Sequence, residues 1–185
     1  PKEYEIFRTP PNPEGMSYCV GSHSVSYTEA AAIEAGVLVE ARVDIGRLPK
    51  ATGTLFGRSE MFERLDRLWA DPAIGVAAVG AEGGTGKSVL ISRWLDQVKD
   101  RRWDGAERVF GWSFYSQGSD RQASADEFLD AALDYFDPHG RRPNSAWDKG
   151  VALAGRMAEC KCLLVLDGLE PLQYGEADMR GRLKD

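Results

Sequence analysis

The sequence predicts an α/β protein whose parallel sheet carries helices on both faces. Three observations lead there. Apolar runs of strand length occur at Ile74 to Val79, Arg108 to Tyr115 and Cys162 to Leu166. The segments between them carry apolar residues at helical spacing, and the two patterns alternate along the chain, as in βαβ units. With 185 residues, 43% hydrophobic and 10% aromatic, the chain is long enough for one domain with an appended segment and has a globular composition.

The same numbers exclude several classes of function. A net charge of −6 and a pI near 5.1 argue against a nucleic-acid surface, and the pairs Arg101-Arg102 and Arg141-Arg142 read as solvated loop charge. Cys19, Cys160 and Cys162 form no even disulfide framework, which makes a reducing cytoplasm the expected compartment. No apolar run reaches about 18 residues and no basic-then-apolar leader opens the chain, so neither a membrane span nor a signal peptide is expected. His23 and His139 are isolated and have no metal-ligand spacing around the cysteines.

Taken in order, residues 1–27 are rich in Pro, Gly, Ser and Tyr and begin without methionine; they read as a linker or the tail of an upstream region. Thr28 to Ala35 is a short helix candidate stopped by Gly36, and Val37 to Ile45 alternates like a strand. The loop from Leu48 to Thr54 sets the expected boundary, with residues 1–50 as the tail and 51–185 as the main domain. Ser59 is the expected N-cap of a helix with Met61, Phe62, Leu65, Leu68 and Trp69 on its apolar face, ending near Asp71-Pro72. Apolar residues at 90, 91, 94, 95 and 98 mark a second helical stripe, although Trp94 to Gly105 as a whole reads as polar and turn-like. Arg108 to Tyr115 is expected to be buried on both faces. Ser124-Ala-Asp-Glu127 is a capping box for a helix stopped by Pro138. A further helix starts near Ser145, with Trp147, Val151, Ala154 and Ala158 along one face.

One stretch carries chemistry. Val76 to Leu90, VAAVGAEGGTGKSVL, passes from an apolar strand through a glycine-rich loop into an amphipathic helix. Gly83, Gly84 and Gly86 let successive N–H groups point into one concavity at a helix N-terminus, a site shaped for polyphosphate. Lys87 supplies a point charge for the β- and γ-phosphates, and the Ser88 hydroxyl is placed to hold Mg²⁺, as in a Walker A motif. Ala81 stands where that pattern has its first glycine.

The run ending in Asp167 offers a partner for that loop. In parallel α/β sheets ligands lie beyond the carboxyl ends of the strands, so Asp167 is expected to share a crevice with the loop and to hold Mg²⁺. Glu170 is then placed to orient or deprotonate water. The alternative makes Asp167 the start of a turn with Gly168 and Glu170 a solvated carboxylate.

Four segments in this order, LFGR at 55–58, GAEGGTGKS at 80–88, FGWSFYSQG at 110–118 and LLVLDGLEPLQ at 163–173, resemble the STAND class of P-loop ATPases, AAA+ relatives that include the NB-ARC and NACHT families. The resemblance covers roughly residues 48–185. It implies a three-layer α/β/α P-loop NTPase sheet of the ASCE type, with ATP or ADP and Mg²⁺ as cofactors. The implied nucleotide contacts are Phe56, Gly57, Arg58, Ala81, Glu82, Gly83, Gly84, Thr85, Gly86, Lys87, Ser88, Val89 and Gln117. Ser88 and Asp167 are the implied metal ligands, and Lys87 and Glu170 the catalytic groups. Leu55, Phe56, Gly57 and Arg58 lie over the adenine in that class; the competing reading makes Phe56 core and Arg58 a helix-start charge. Ser116 lies with Gln117 near the γ-phosphate, and Arg121 is a possible sensor. NACHT-like proteins often have a second acid where this chain has Pro171, which points to slow hydrolysis. The class also has a strand after Walker B that enters the sheet between the P-loop and Walker B strands. Its absence before Asp185 leads to the expectation of a fragment with open strand edges, unless residues 37–45 or another chain cover them.

The expected function is an Mg²⁺-dependent ATPase switch that self-associates with nucleotide and turns on an effector, in bacterial defence or regulation as the class implies. Upstream effector and downstream sensor regions are the expected partners, with neither nucleic acid nor membrane among them. The alternatives are a module that holds ADP or ATP as a latch without turnover, and a P-loop small-molecule kinase, disfavoured because no lid-like arginine cluster follows. ATP is preferred over GTP because no N-K-x-D motif appears.

Overall fold

The computed structural model describes residues 5–8, 40–50, 57–115 and 125–172, and within it the chain is mixed α/β. Its strands are β1 (Glu5–Arg8), β2 (Arg42–Asp44), β3 (Ala77–Gly80), β4 (Arg108–Ser113) and β5 (Cys162–Asp167). Its α-helices are α1 (Ser59–Ala70), α2 (Lys87–Asp100), α3 (Ala125–Phe136) and α4 (Ala146–Met157). They fall into two compact units, one of residues 1–40 and 49–105, the other of residues 41–48 and 106–185. The helix expected at 28–35 and the capping residue Ser124 lie outside the described residues.

In the first unit, α1 buries Leu65 and Leu68, and α2 buries Leu90, Trp94, Leu95 and Val98. The apolar stripe of α2 therefore decides its length. The helix runs to Asp100, and only residues 101–105 make the turn that was expected from Trp94 onward. A polar clasp ties α1 to α2: the Trp94 indole donates to Asp66 Oδ1 at 2.7 Å, and Arg101 Nη2 donates to the same oxygen at 2.7 Å. Arg58, not Ser59, occupies the N-cap of α1, and no side chain caps that end. Glu60 in the first turn still meets the positive end of the helix dipole.

The strand leading into the glycine loop departs from expectation. β3 pairs antiparallel with β1, in the register Glu5 to Gly80 through Arg8 to Ala77, and it belongs to a separate two-stranded sheet. It was expected in the same parallel sheet as the strand of Asp167. Ala77 and Ala78 are exposed. A strand of four residues still has to satisfy its backbone groups, and here β1 does so.

The second unit holds the parallel sheet, in the order β2-β4-β5. β4 is central and pairs with β5 from Arg108–Cys162 to Ser113–Asp167. As its aromatic run implies, Val109 to Trp112 are buried. Gly111 is fixed by close approach, since a Cβ there would lie 2.6 Å from Leu48 Cδ1. β2 covers one side of β4, so part of the 37–45 segment does complete a strand edge. Among the described residues no strand pairs with the other edge of β5, and every residue of β5 is only half-buried.

Phe110, Trp112 and Phe114 of the β4 segment form an aromatic core with Phe128, Tyr135 and Phe136 of α3. Phe110 and Tyr135 have ring centroids 5.0 Å apart, and Phe114 and Phe128 meet edge to face at 5.6 Å, the tilted geometries that ring quadrupoles favour. The Tyr135 hydroxyl accepts from Val109 N at 3.2 Å and donates to Arg42 O, joining α3 to both β4 and β2.

Helix α4 begins as its sequence announces. Ser145 caps it, its Oγ accepting from Asp148 N at 3.1 Å. Replacing Ser145 with alanine is expected to destabilise the second unit by about 0.5–2 kcal/mol, measurable as a lower denaturant midpoint with an unchanged slope. The buried face of α4 is not the expected one. Leu153 and Lys149 point inward, whereas Trp147 and Val151 are 74% and 59% exposed. Lys149 lays its aliphatic stem against the core and places its ammonium 2.8 Å from Asp130 and 3.2 Å from Asp126 of α3.

Candidate phosphate loop and acidic strand end

In the first unit, β3 ends at Gly80 and α2 begins at Lys87, so Ala81 to Gly86 form the loop between them. Gly84 and Gly86 adopt φ of 74° and 90°, left-handed values that favour glycine. Gly86 is the N-cap of α2, with its carbonyl accepting from Leu90 N at 2.8 Å. The loop folds on itself. Thr85 N and Thr85 Oγ1 both donate to Glu82 O, at 3.4 and 2.8 Å. The Lys87 ammonium reaches back along the loop to donate to Ala81 O at 2.7 Å and to Glu82 O at 3.3 Å. A Cβ at Gly83 or Gly84 would meet nothing within 4 Å, so the outer side of the loop is open.

This arrangement has a definite chemical capacity. No acid stands in the first turn of α2, so the dipole at its N-terminus is not neutralised by a side chain there. The lysine lies over the loop with its charge on two carbonyl oxygens, held near the amide-rich turn. An anion with several oxygens suits such a lining. Ser88 and Val89 follow in the first turn and are half-buried.

In the second unit, Asp167 closes β5 and is followed by Gly168 at φ 70°. The Ser113 hydroxyl, from the adjacent end of β4, donates to Asp167 Oδ2 at 3.2 Å, and Phe114 N donates to Asp167 O at 2.9 Å. Tyr115 N donates to Ser113 Oγ at 3.3 Å. Glu170 is exposed and opens the short 3₁₀ turn Glu170–Leu172. The Tyr115 ring lies over Gly168, where a Cβ would come within 2.2 Å of it. Burial raises the pKa of the Tyr115 phenol above its ordinary value, and the neighbouring charge of Glu170 raises it further. The carboxyl ends of β4 and β5 thus gather Ser113, Tyr115, Asp167 and Glu170.

Ser113 and Tyr115 are not among the residues that sequence reasoning selected, which passed to Ser116 and Gln117. The available signal was parallel pairing, because it sets Ser113 opposite Asp167. Phe56, Ser116, Gln117 and Arg121 lie outside the described residues, as does Leu55. Gly57 has φ 66°, and Arg58 is half-buried at the start of α1, where its carbonyl accepts from Met61 N and Phe62 N.

Among the described residues no group of three or more His, Cys, Asp and Glu side chains could hold a metal, and no helix is long and apolar enough to cross a membrane. Cysteine chemistry is also muted. Burial pushes the Cys162 thiol up to about 12 from 9.0 and raises that of Cys160, so both are thiols at neutral pH. The folded state therefore holds protons that the unfolded chain releases first, and stability is expected to fall from about pH 9 upward toward pH 12. The Tyr135 phenol, raised mainly by burial, adds to the same alkaline loss. Urea midpoints at pH 7.5, 9 and 10.5 check this; a flat series would contradict it.

No protein-family model matches this chain, and neither a curated protein nor a solved structure matches it.

Proposed function

We propose that the loop from Ala81 to Ser88 binds the polyphosphate of a nucleoside triphosphate, and that the chain works as an Mg²⁺-dependent ATP-hydrolysing switch. The observation that carries the reading is the Lys87 ammonium folded onto Ala81 O within a glycine loop that opens helix α2. Phosphate oxygens would take over the charge that Lys87 now shares between two carbonyls, while N–H groups of the turn and helix start approach the same anion.

The donor set suits magnesium. The Ser88 hydroxyl in the first unit and the Asp167 carboxylate in the second are each a hard oxygen donor of the kind magnesium takes. When bound, magnesium neutralises polyphosphate charge. Glu170 is the group that would accept a proton from water, and its exposed position leaves the carboxylate within reach of solvent. Ser113 orients Asp167 through its hydroxyl.

Titration of the chain with a fluorescent ATP analogue, with and without Mg²⁺ and competed by ATP, ADP and GTP, tests this. Binding strengthened by Mg²⁺ and displaced by ATP and ADP ahead of GTP is the expected result. No saturable binding at any magnesium concentration would overturn it.

A further inference from the structure

One enclosed donor in the second unit has nothing to bond. Trp112 of β4 is 2% exposed, and among the described residues its indole Nε1 meets no hydrogen-bond acceptor. Enclosed N–H groups of native proteins are nearly all partnered, because a donor stripped of water and left without an acceptor is costly. Most neighbours of this ring are themselves rings. Phe110 lies 24° from parallel with centroids 6.4 Å apart, and Phe114 and Phe128 meet it edge to face at 6.4 and 5.9 Å. An aromatic face is at best a weak acceptor. The polar neighbour is Arg47, whose guanidinium carbon sits 4.2 Å from the Trp112 ring centroid, so a cation and the N–H of that same ring lie side by side. Arg47 is exposed and, among the described residues, makes no ion pair, with Asp44 or any other acid. Backbone holds it there. Arg47 belongs to the turn after β2, closed by Leu48 N donating to Ile45 O at 3.1 Å, and Leu48 packs on Gly111 where a Cβ would not fit. The turn is thereby docked on the strand that carries Trp112, toward the carboxyl ends of β2 and β4, where parallel sheets present their ligands.

We infer that Arg47 and Trp112 form a site for a small oxyanion, a phosphate or carboxylate group whose oxygens accept from the Trp112 Nε1–H and the Arg47 guanidinium together. Two needs meet in one ligand. The indole lacks an acceptor and the guanidinium lacks a negative charge, and a group with two or more oxygens on one centre supplies both, whereas water supplies only the first. Arg47 is also the way in. Phe110, Phe114 and Phe128 are buried, while the exposed arginine has a flexible stem that lets its head lift from the ring and settle again on the anion. The net charge of −6 repels anions at long range, so binding depends on these short contacts and is weak. Both residues belong to the second unit, and the inference does not rest on the nucleotide reading.

The test is proton–nitrogen correlation NMR of the whole chain without nucleotide, following the assigned Trp112 indole resonance. Sodium phosphate or sodium acetate replaces sodium chloride at constant ionic strength, up to about 100 mM. The expected result is a saturable downfield shift of the indole proton with a dissociation constant of a few millimolar at about 25 °C, and the tighter of the two anions shows whether the site takes phosphate or carboxylate. In Arg47→Gln, an exposed position whose change leaves the core intact, the affinity falls by about tenfold or more. In Lys87→Ala the shift persists. A resonance that does not move, or that drifts without saturating in both salts, overturns the inference. So does a shift that Arg47→Gln leaves unchanged, and so does one that Lys87→Ala abolishes, because the anion then sits in the glycine loop.

Discussion

Glu170→Gln is expected to lower ATP turnover by about 10²–10⁴-fold, the usual contribution of a positioned general base. Glutamine keeps the size and hydrogen-bonding outline of the side chain but cannot take a proton from water. Glu170 is exposed and begins a 3₁₀ turn, so the substitution disturbs no packing and the fold should be unaffected. Nucleotide affinity should change little, since the proposed phosphate contacts lie in the 81–88 loop. Steady-state phosphate release measured beside binding of the ATP analogue separates the outcomes. Lost turnover with binding retained supports the hydrolysing switch. Turnover equal in both proteins removes Glu170 from the chemistry, and binding without turnover in either leaves the nucleotide latch as the correct description. Tyr115, beside Glu170 and over Gly168, is the neighbour whose replacement would then be informative.

Lys87→Ala is expected to weaken triphosphate binding by roughly 10- to 150-fold, corresponding to about 1.5–3 kcal/mol for hydrogen bonds to a charged group. Diphosphate binding should suffer less, because the lysine is assigned to the β- and γ-phosphates. The contrast between ATP and ADP is therefore a sharper reading than either affinity alone. Folding should survive the change. The ammonium donates to Ala81 O and Glu82 O, both at a partly exposed loop, and α2 is held by Leu90, Trp94, Leu95 and Val98. Equal affinity of the variant for ATP would exclude the loop as the phosphate site, whatever the chain does elsewhere.

Much of the local structure was legible because its causes are local. Ser145 caps α4 through the N–H of Asp148, α1 stops at Asp71 before Pro72, and β4 is a continuous aromatic run that only burial on both faces accommodates. The turn from β3 into α2 could be read from its glycines, with Gly84 and Gly86 in the left-handed region. β5 likewise occupies the apolar run that ends at Asp167.

Strand partners and helix orientation were decided elsewhere. The apolar character of Ile74 to Val79 does not say which edge will satisfy its backbone, and β3 pairs with β1 across more than 60 residues of sequence. The two sides of α4 are likewise ambiguous in sequence. One offers Trp147 and Val151, the other Leu153 with a lysine, and apolar content favours the first. The structure buries the second, because α3 presents Asp126 and Asp130 where the Lys149 ammonium can reach them. By itself, then, the sequence determined the four described helices, strands β4 and β5, the glycine loop and the position of its lysine, all set by neighbours within a few residues. Tertiary structure alone decided the partner of β3, the face of α4 left to solvent and the gathering of Ser113 and Tyr115 around the acids, since each depends on which distant groups supply a hydrogen bond or a counter-charge.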